Sequence, residues 1–204
     1  MQLMANKRLT ASQRRAQLIE VGRSVLARHG YEATSVEEIA RAAGVSKPRV
    51  CEHLGGKEGL FAVIVDREMD LLVQRVADAI STGTPRERFE AAVLAFLTYV
   101  AERPDGFTIL TRDAPPSARG SGMHSVIADL GERIRDIFED TFARLGWDPT
   151  VSPIYAHALI GMVTLTGQWW MENSELSIHE VARHLAALGW MGLRHLPADP
   201  KQIG

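Results

Sequence analysis

Residues 35–61 read SVEEIARAAGVSKPRVCEHLGGKEGLF, and this stretch decides the fold. Ser35 followed three residues later by Glu38 is a capping box: the hydroxyl accepts from an orphan amide while the carboxylate reaches back to the cap. Val36, Ile39, Ala40 and Ala43 then share one helical face. Gly44 ends that helix, because it enters the left-handed region without a Cβ penalty. Ser46 caps a second helix, Pro48 sits in its first turn where a missing N–H costs nothing, and Val50 and Leu54 face back toward the core. Ala40 is small enough for the two helices to cross closely at the Gly44 corner. A helix pair, a glycine turn and buried positions in register make a helix-turn-helix.

Charge follows the same segment. The 204 residues carry 23 Lys/Arg against 25 Asp/Glu, a net charge of −2. Residues 1–60 hold ten Lys/Arg and six Asp/Glu, or +4, whereas residues 61–204 hold thirteen and nineteen, or −6. A basic first third on an acidic remainder suits a small DNA-reading head on a body that does not touch DNA. The single cysteine excludes an intrachain disulfide and fits a reducing compartment. The basic N-terminus has no apolar run behind it, so no secretory signal is expected. The most apolar segment, residues 91–101, is about half as long as a bilayer span. At 46% apolar the chain can bury a substantial core, and a soluble cytoplasmic protein is expected.

Upstream, residues 1–9 read as an arm in which Lys7 and Arg8 could follow a phosphate or groove, with a frayed terminus as the default reading. Thr10 or Ser12 caps a first helix running to about His29, with Leu18, Val21, Gly22, Val25 and Leu26 inward. Downstream, a long helix begins near Lys57 and runs to about Ser81, with Leu60, Phe61 and Ile64 docking on the head. Further helices run to about Arg103, from Ser121 or His124 to Leu145, from Ser152-Pro153 to about Met171, and from a Ser177 cap to about His195. The stretch 112–122, rich in Pro, Gly and Ser, reads as an exposed loop. With no period-two pattern, the fold class is all-α with about nine helices. Residues 1–56 form the helix-turn-helix DNA-binding domain and 57–204 a larger C-terminal domain, with 57–81 as the linking helix.

A recognition helix as short as 46–54 enters the major groove with its first two turns. Lys47, Pro48, Arg49, Glu52 and His53 can face out. Arg49 can take a guanine edge bidentately, and Pro48 offers an apolar surface to a thymine methyl. Thr34 and the neighbouring Ser35 before the second helix, Ser46 at the third helix's N-terminus and Lys57 at the start of the fourth are the candidates for phosphate contacts. One such helix covers too little DNA for specificity, so a homodimer on a palindromic operator is expected. Two lines of small residues, Ala158, Gly161, Thr164, Gly167 and Ala182, Ala186, Gly189, lie either between protomers or between helices of one chain. Trp169, Trp170, Trp190 and Met191 flank them.

The run GVSKPRVCEHLGGKEGLF resembles the TetR family of transcriptional regulators through Val45-Ser46, His53, Lys57-Glu58 and Leu60-Phe61. Two positions depart, since the family usually has Tyr where this chain has Cys51 and Phe where it has Leu54. The close resemblance spans roughly residues 14–65. It implies phosphate contacts at Thr34, Ser46, His53 and Lys57, with the Cys51 departure removing a hydroxyl that members set against DNA. It implies a homodimer whose last two helices form a four-helix bundle across the dyad. It implies too that the C-terminal domain binds a small effector, which tilts helix four and separates the recognition helices, with repression the usual outcome.

The candidate ligand-binding residues are Phe89, Phe96, Tyr99, Phe107, Met123, Phe138, Tyr155, His157, Met162 and Trp169, with Phe142 among them in the same apolar set. His124, His157 and Tyr99 are the polar handles, because a polar group inside an apolar cluster needs a partner. A mostly apolar effector is expected and no cofactor. The rival readings are a helical carrier or enzyme without DNA binding, and a redox-sensing regulator acting through Cys51. No paired carboxylates, phosphate loop or nucleophile elbow supports an enzyme. Glu180 and His184, one turn apart, are two metal-type ligands where a site needs more. Cys51 reads otherwise as a small buried or half-buried replacement for Tyr.

Overall fold

The computed structural model describes residues 10–112, 146–173 and 175–195, together with 128, 130–132, 135, 139, 142 and 143. The expected arm at 1–9, the loop at 113–122, and Met123, His124 and Phe138 lie outside the described residues. The helices are α1 (Ala11–His29), α2 (Val36–Ala42), α3 (Lys47–Leu54), α4 (Gly56–Ala79), α5 (Pro85–Glu102), α6 (Pro104–Thr111), α7 (Ser152–Glu172) and α8 (Ile178–Arg194), with a 3-10 turn at Pro149–Val151 before α7. The residues described between 128 and 143 are helical as well, and no strand occurs among the described residues. The fold is all-α.

The helices start where side chains supply the missing acceptors. Thr10 with Gln13, Thr84 with Glu87 and Ser177 with Glu180 form reciprocal capping boxes on α1, α5 and α8. The box expected at Ser35 forms only by half. Ser35 Oγ accepts from the Glu38 amide at 3.1 Å, but the Glu38 carboxylate turns to His29 Nε2, 3.7 Å away. At the corner Gly44 has φ +65° and the Val45 amide donates to the Ala40 carbonyl at 2.9 Å, closing α2 against α3.

Two cores lie along the chain. The first gathers Leu18, Leu26, Ile39, Val50, Leu54, Leu60 and Ile64 from α1–α4. The second gathers Leu72, Phe96, Leu97, Val100, Phe107, Ile160, Val181 and Leu185, with Leu130, from α4 to α8. Helix α4, 24 residues long, runs through both; at ~1.5 Å per residue it is a rod of about 36 Å. Helix α6 also serves both, giving Ile109 to the first core and Phe107 and Leu110 to the second.

The small residues of the last two helices mostly pack within the chain. Gly167 faces Val100, Leu97 and Phe107, and a Cβ on Gly189 would lie 2.5 Å from the Phe89 ring. Thr164, Ala182 and Ala186 are buried too, while Ala158 is exposed. Small side chains go where two helix axes approach closest, and here that is the crossing with α5. What faces outward is large: Ile154, Leu165, Trp169, Leu188 and Met191 on α7 and α8, and Leu176 between them, each 46–66% exposed.

Candidate nucleic-acid interface

Val50 and Leu54 anchor α3 to the head, and this turns the rest of the helix outward. Lys47, Pro48, Arg49, Cys51 and Glu52 are exposed and His53 is partly so. The Arg49 amide donates to the Ser46 carbonyl at 3.1 Å, but its guanidinium has no hydrogen-bond or ion-pair partner among the described residues, so the planar fork is free to take a base edge. Lys47 is engaged: its ammonium donates to Glu37 of α2. That contact holds the Glu37 carboxyl below the usual carboxylate range and pushes the Lys47 ammonium up. Both groups are exposed, so a phosphate can compete for the lysine. Ser46 makes no side-chain cap on α3, which leaves its hydroxyl unspent at the helix entrance.

Lys57 is held ready rather than loose. Its Nζ donates to the Tyr31 carbonyl at 2.9 Å and lies 4.1 Å from the Tyr31 ring centroid, and Tyr31 stands edge-on to Phe61 at 5.1 Å. An ammonium has three donors, so this tether leaves others for a phosphate. Thr34 departs from expectation. It is 2% exposed and its hydroxyl donates to the Gly30 carbonyl at 2.7 Å, finishing the turn after α1 rather than pointing at solvent. Ser35 is exposed, but its oxygen is the cap of α2. Cys51 is exposed, not buried.

In the body, the expected ligand residues separate into groups. Phe96 and Phe107 meet edge-on at 6.1 Å in the second core. Phe89 and Met162 meet beside Gly189, with Trp190 6.5 Å from the Phe89 ring. Tyr155 lies 5.3 Å from Phe142. Trp169 and His157 are exposed instead, and His157 Nδ1 pairs with the Pro153 carbonyl at 2.7 Å. The Tyr99 hydroxyl finds its partner inside the protein. Glu180 spends its carboxylate on the Ser177 cap, 3.0 Å from the amide and 2.7 Å from Oγ. No group of three or more metal-type ligands occurs among the described residues.

That Tyr99 partner is Glu68, a residue to which the motif reading gives no role. Glu68 is 3% exposed, in the middle of α4. Tyr99 Oη donates to Oε2 at 2.9 Å, Arg23 Nη1 donates to Oε1 at 3.2 Å, and Arg103 grips both oxygens, with Nε at 3.2 Å from Oε2 and Nη2 on Oε1. Burial raises the Glu68 carboxyl, but the bonds from Arg103, Tyr99 and Arg23 outweigh it and leave the carboxyl below the usual range. Burial and the neighbouring Glu68 push the Tyr99 phenol up, so it stays protonated and donates. The sequence does carry a signal: residues 60, 64, 68, 72 and 76 keep a strict four-residue spacing on the inward face of α4, and one of them is a carboxylate.

Comparison with known proteins meets this geometry at both ends of the chain. The family model described as bacterial regulatory proteins, tetR family, matches residues 18–64, and one described as tetracyclin repressor-like, C-terminal domain, matches residues 72–202. The transcriptional activator FasR of Mycolicibacterium smegmatis is 28% identical over 193 residues, 93% of this chain and 87% of that protein. The transcriptional repressor KstR2 of Mycobacterium tuberculosis is 26% identical over 128 residues, 62% of this chain and 64% of that protein. A TetR-like regulator from Rhodococcus sp. RHA1 superimposes with a TM-score of 0.72 at 26% identity, covering 93% of this chain and all of that one. AibR, solved with isovaleryl coenzyme A and operator DNA, shares the fold at TM-score 0.68 and 24% identity, over 86% of this chain and 97% of its own.

Proposed function

The chain belongs to the TetR family of bacterial regulatory proteins, and from that membership we propose how this particular regulator reads DNA. The family consists of DNA-binding transcriptional regulators that act as dimers and answer to small molecules; they are not enzymes. The enzyme and DNA-free carrier readings therefore fall. In our reading residues 1–56 are the reading head and 57–204 the regulatory body, working in the cytoplasm where the DNA is. Each head sets α3 in a major groove, and the palindrome mirrors the dimer's two-fold axis. Arg49 reads a guanine, Pro48 packs on a thymine methyl, Ser46, Lys47, His53 and Lys57 take phosphates, and Ser35 keeps the entrance of α2 in place. Thr34 supports the corner from inside.

The observation that carries this assignment is the unpartnered Arg49 fork on the outward face of a helix anchored by Val50 and Leu54. No helix is long and apolar enough to cross a membrane among the described residues. The exposed apolar face of α7 and α8 supplies the dimer contact, and the core around Phe96, Phe107 and Ile160 suits a mostly apolar effector. Thr164 gives that core a buried hydroxyl without a protein partner among the described residues, a natural polar handle. Repression is our reading of sign, since a dimer seated on a promoter excludes polymerase with no further contact. Activation is the second reading, favoured by the match to FasR over most of both chains.

Selection from random duplexes tests the core of the proposal. A palindrome should emerge, and Arg49→Ala should relax one base position at a cost of about 1–3 kcal/mol. Lys57→Ala should weaken all sequences alike and lower the salt slope by about 1. Recovery of no sequence preference refutes it.

A further inference from the structure

We propose that Glu68 is a positioning residue that sets the angle of the reading head on the body, and through it the half-site spacing the dimer accepts. The inference rests on the operator-reading function above and adds to it a determinant that never touches DNA.

The carboxylate collects donors from elements that otherwise belong to different cores. Arg23 comes from α1 of the head, Tyr99 from α5 of the body, and Arg103 from the single residue that ends α5 and begins α6. Both oxygens are in use, so the group has one geometry rather than several. The backbone is shaped to it: a Cβ on Gly106 would lie 2.3 Å from Oε2 and 3.0 Å from the Tyr99 hydroxyl. Arg112 adds a second tie at the far end of α6, donating from Nη1 to the Ala27 carbonyl of α1 at 2.7 Å. Helix α6 thus reaches the head through Glu68 and Arg23 at its start and directly through Ile109 and Arg112 further on, while its Phe107 and Leu110 stay in the body core.

A single connecting helix such as α4 bends and twists, so alone it leaves the head's angle soft. Ile109 and Arg112 of α6 give the head a second attachment, and Glu68, bonded to α1 and to the α5–α6 corner at one point of α4, fixes the angle between them. In a two-fold dimer any freedom of that angle appears twice. Adding one base pair between half-sites moves one of them by about 3.4 Å and turns it by roughly 34°. A rigid head cannot follow such a change; an untethered one partly can.

The test uses the full-length dimer, the selected palindrome and the same palindrome with one base pair added to or removed from its centre. Wild type should lose at least tenfold in affinity on either change. Arg23→Gln cuts the head's tie to Glu68, together with Arg23's pair with Glu20 on its own helix, and leaves Glu68 paired with Arg103 and Tyr99 and Arg112 on Ala27, so it should fold and dimerise as wild type does. Its spacer penalty should shrink to within threefold while its half-site consensus stays the same. Glu68→Gln should act in the same direction where it folds. A folded Arg23→Gln dimer with the full wild-type spacer penalty overturns the inference, and so does a wild type indifferent to spacing. A wild type that selects no palindrome overturns the functional reading itself, a separate and recognisable result.

Discussion

Leu188 is the sharpest place to test the dimer. It is 66% exposed on α8, three residues from the exposed Met191, and it is in neither core of its own chain. Burying a whole leucine side chain is worth about 1.5–3 kcal/mol, so sealing two thirds of one contributes about 1–2 kcal/mol. A two-fold interface uses the residue once from each protomer. Leu188→Ala should therefore weaken the dimer by about 2–4 kcal/mol, or roughly 30- to 700-fold in dissociation constant. Leu188→Glu should do more, because two unpaired carboxylates would meet near the dyad. Sedimentation equilibrium over a dilution series reads the constant directly. The control is Leu185, one turn back and in the second core: Leu185→Ala should cost about 2–5 kcal/mol of folding stability. Leu188→Ala should leave thermal unfolding of the protomer nearly unchanged. A Leu188→Glu protein that stays dimeric at wild-type strength would refute the assignment of this face.

Three further outcomes follow from buried groups. Gly106→Ala should lower stability by about 1–3 kcal/mol by overpacking, since the new methyl would lie 2.3 Å from Glu68 Oε2; calorimetry checks it, and an unchanged midpoint would show that α6 is free to shift. Thr164→Val should raise the unfolding midpoint, because it removes a fully buried hydroxyl without a partner among the described residues and keeps the shape, a gain of about 1 kcal/mol. Glu68 has a folded-state pKa below its ordinary value of 4.5, so its contribution is present above that pH and is lost as pH falls through the lower folded value. The difference in midpoint between wild type and Glu68→Gln should narrow in that acid window, and a constant difference would contradict the ion-pair account.

Much of the head was legible because its instructions are local. Ser35, Gly44 and Pro48 act on amides and dihedrals within four residues of themselves, and α2 and the start of α3 fall beside them. Thr34 was misread because position alone places it at a helix entrance. The direction of its hydroxyl depends on a free Gly30 carbonyl, which exists only once α1 has stopped. The small-residue lines carried a real signal of close helix approach, but a line of small residues does not name its partner. Phe89 and Val100 of α5 claimed Gly189 and Gly167, leaving the opposite, large-residue face outward.

Glu68 exposes the boundary between what spacing reveals and what it cannot. Its place on the inward stripe of α4 says that a carboxylate must be buried, and a buried carboxylate must be paired. The identity of the pair was beyond spacing, since Arg23 lies 45 residues upstream and Arg103 lies 35 downstream. Both are arginines among many, and only the crossing of α1 over the α5–α6 corner selects them. Such a group is a poor way to gain stability, because a well-packed apolar replacement often does as well. What an apolar replacement cannot reproduce is direction: a fork that grips two oxygens fixes an angle, and an angle is what a two-headed reader of DNA has to keep.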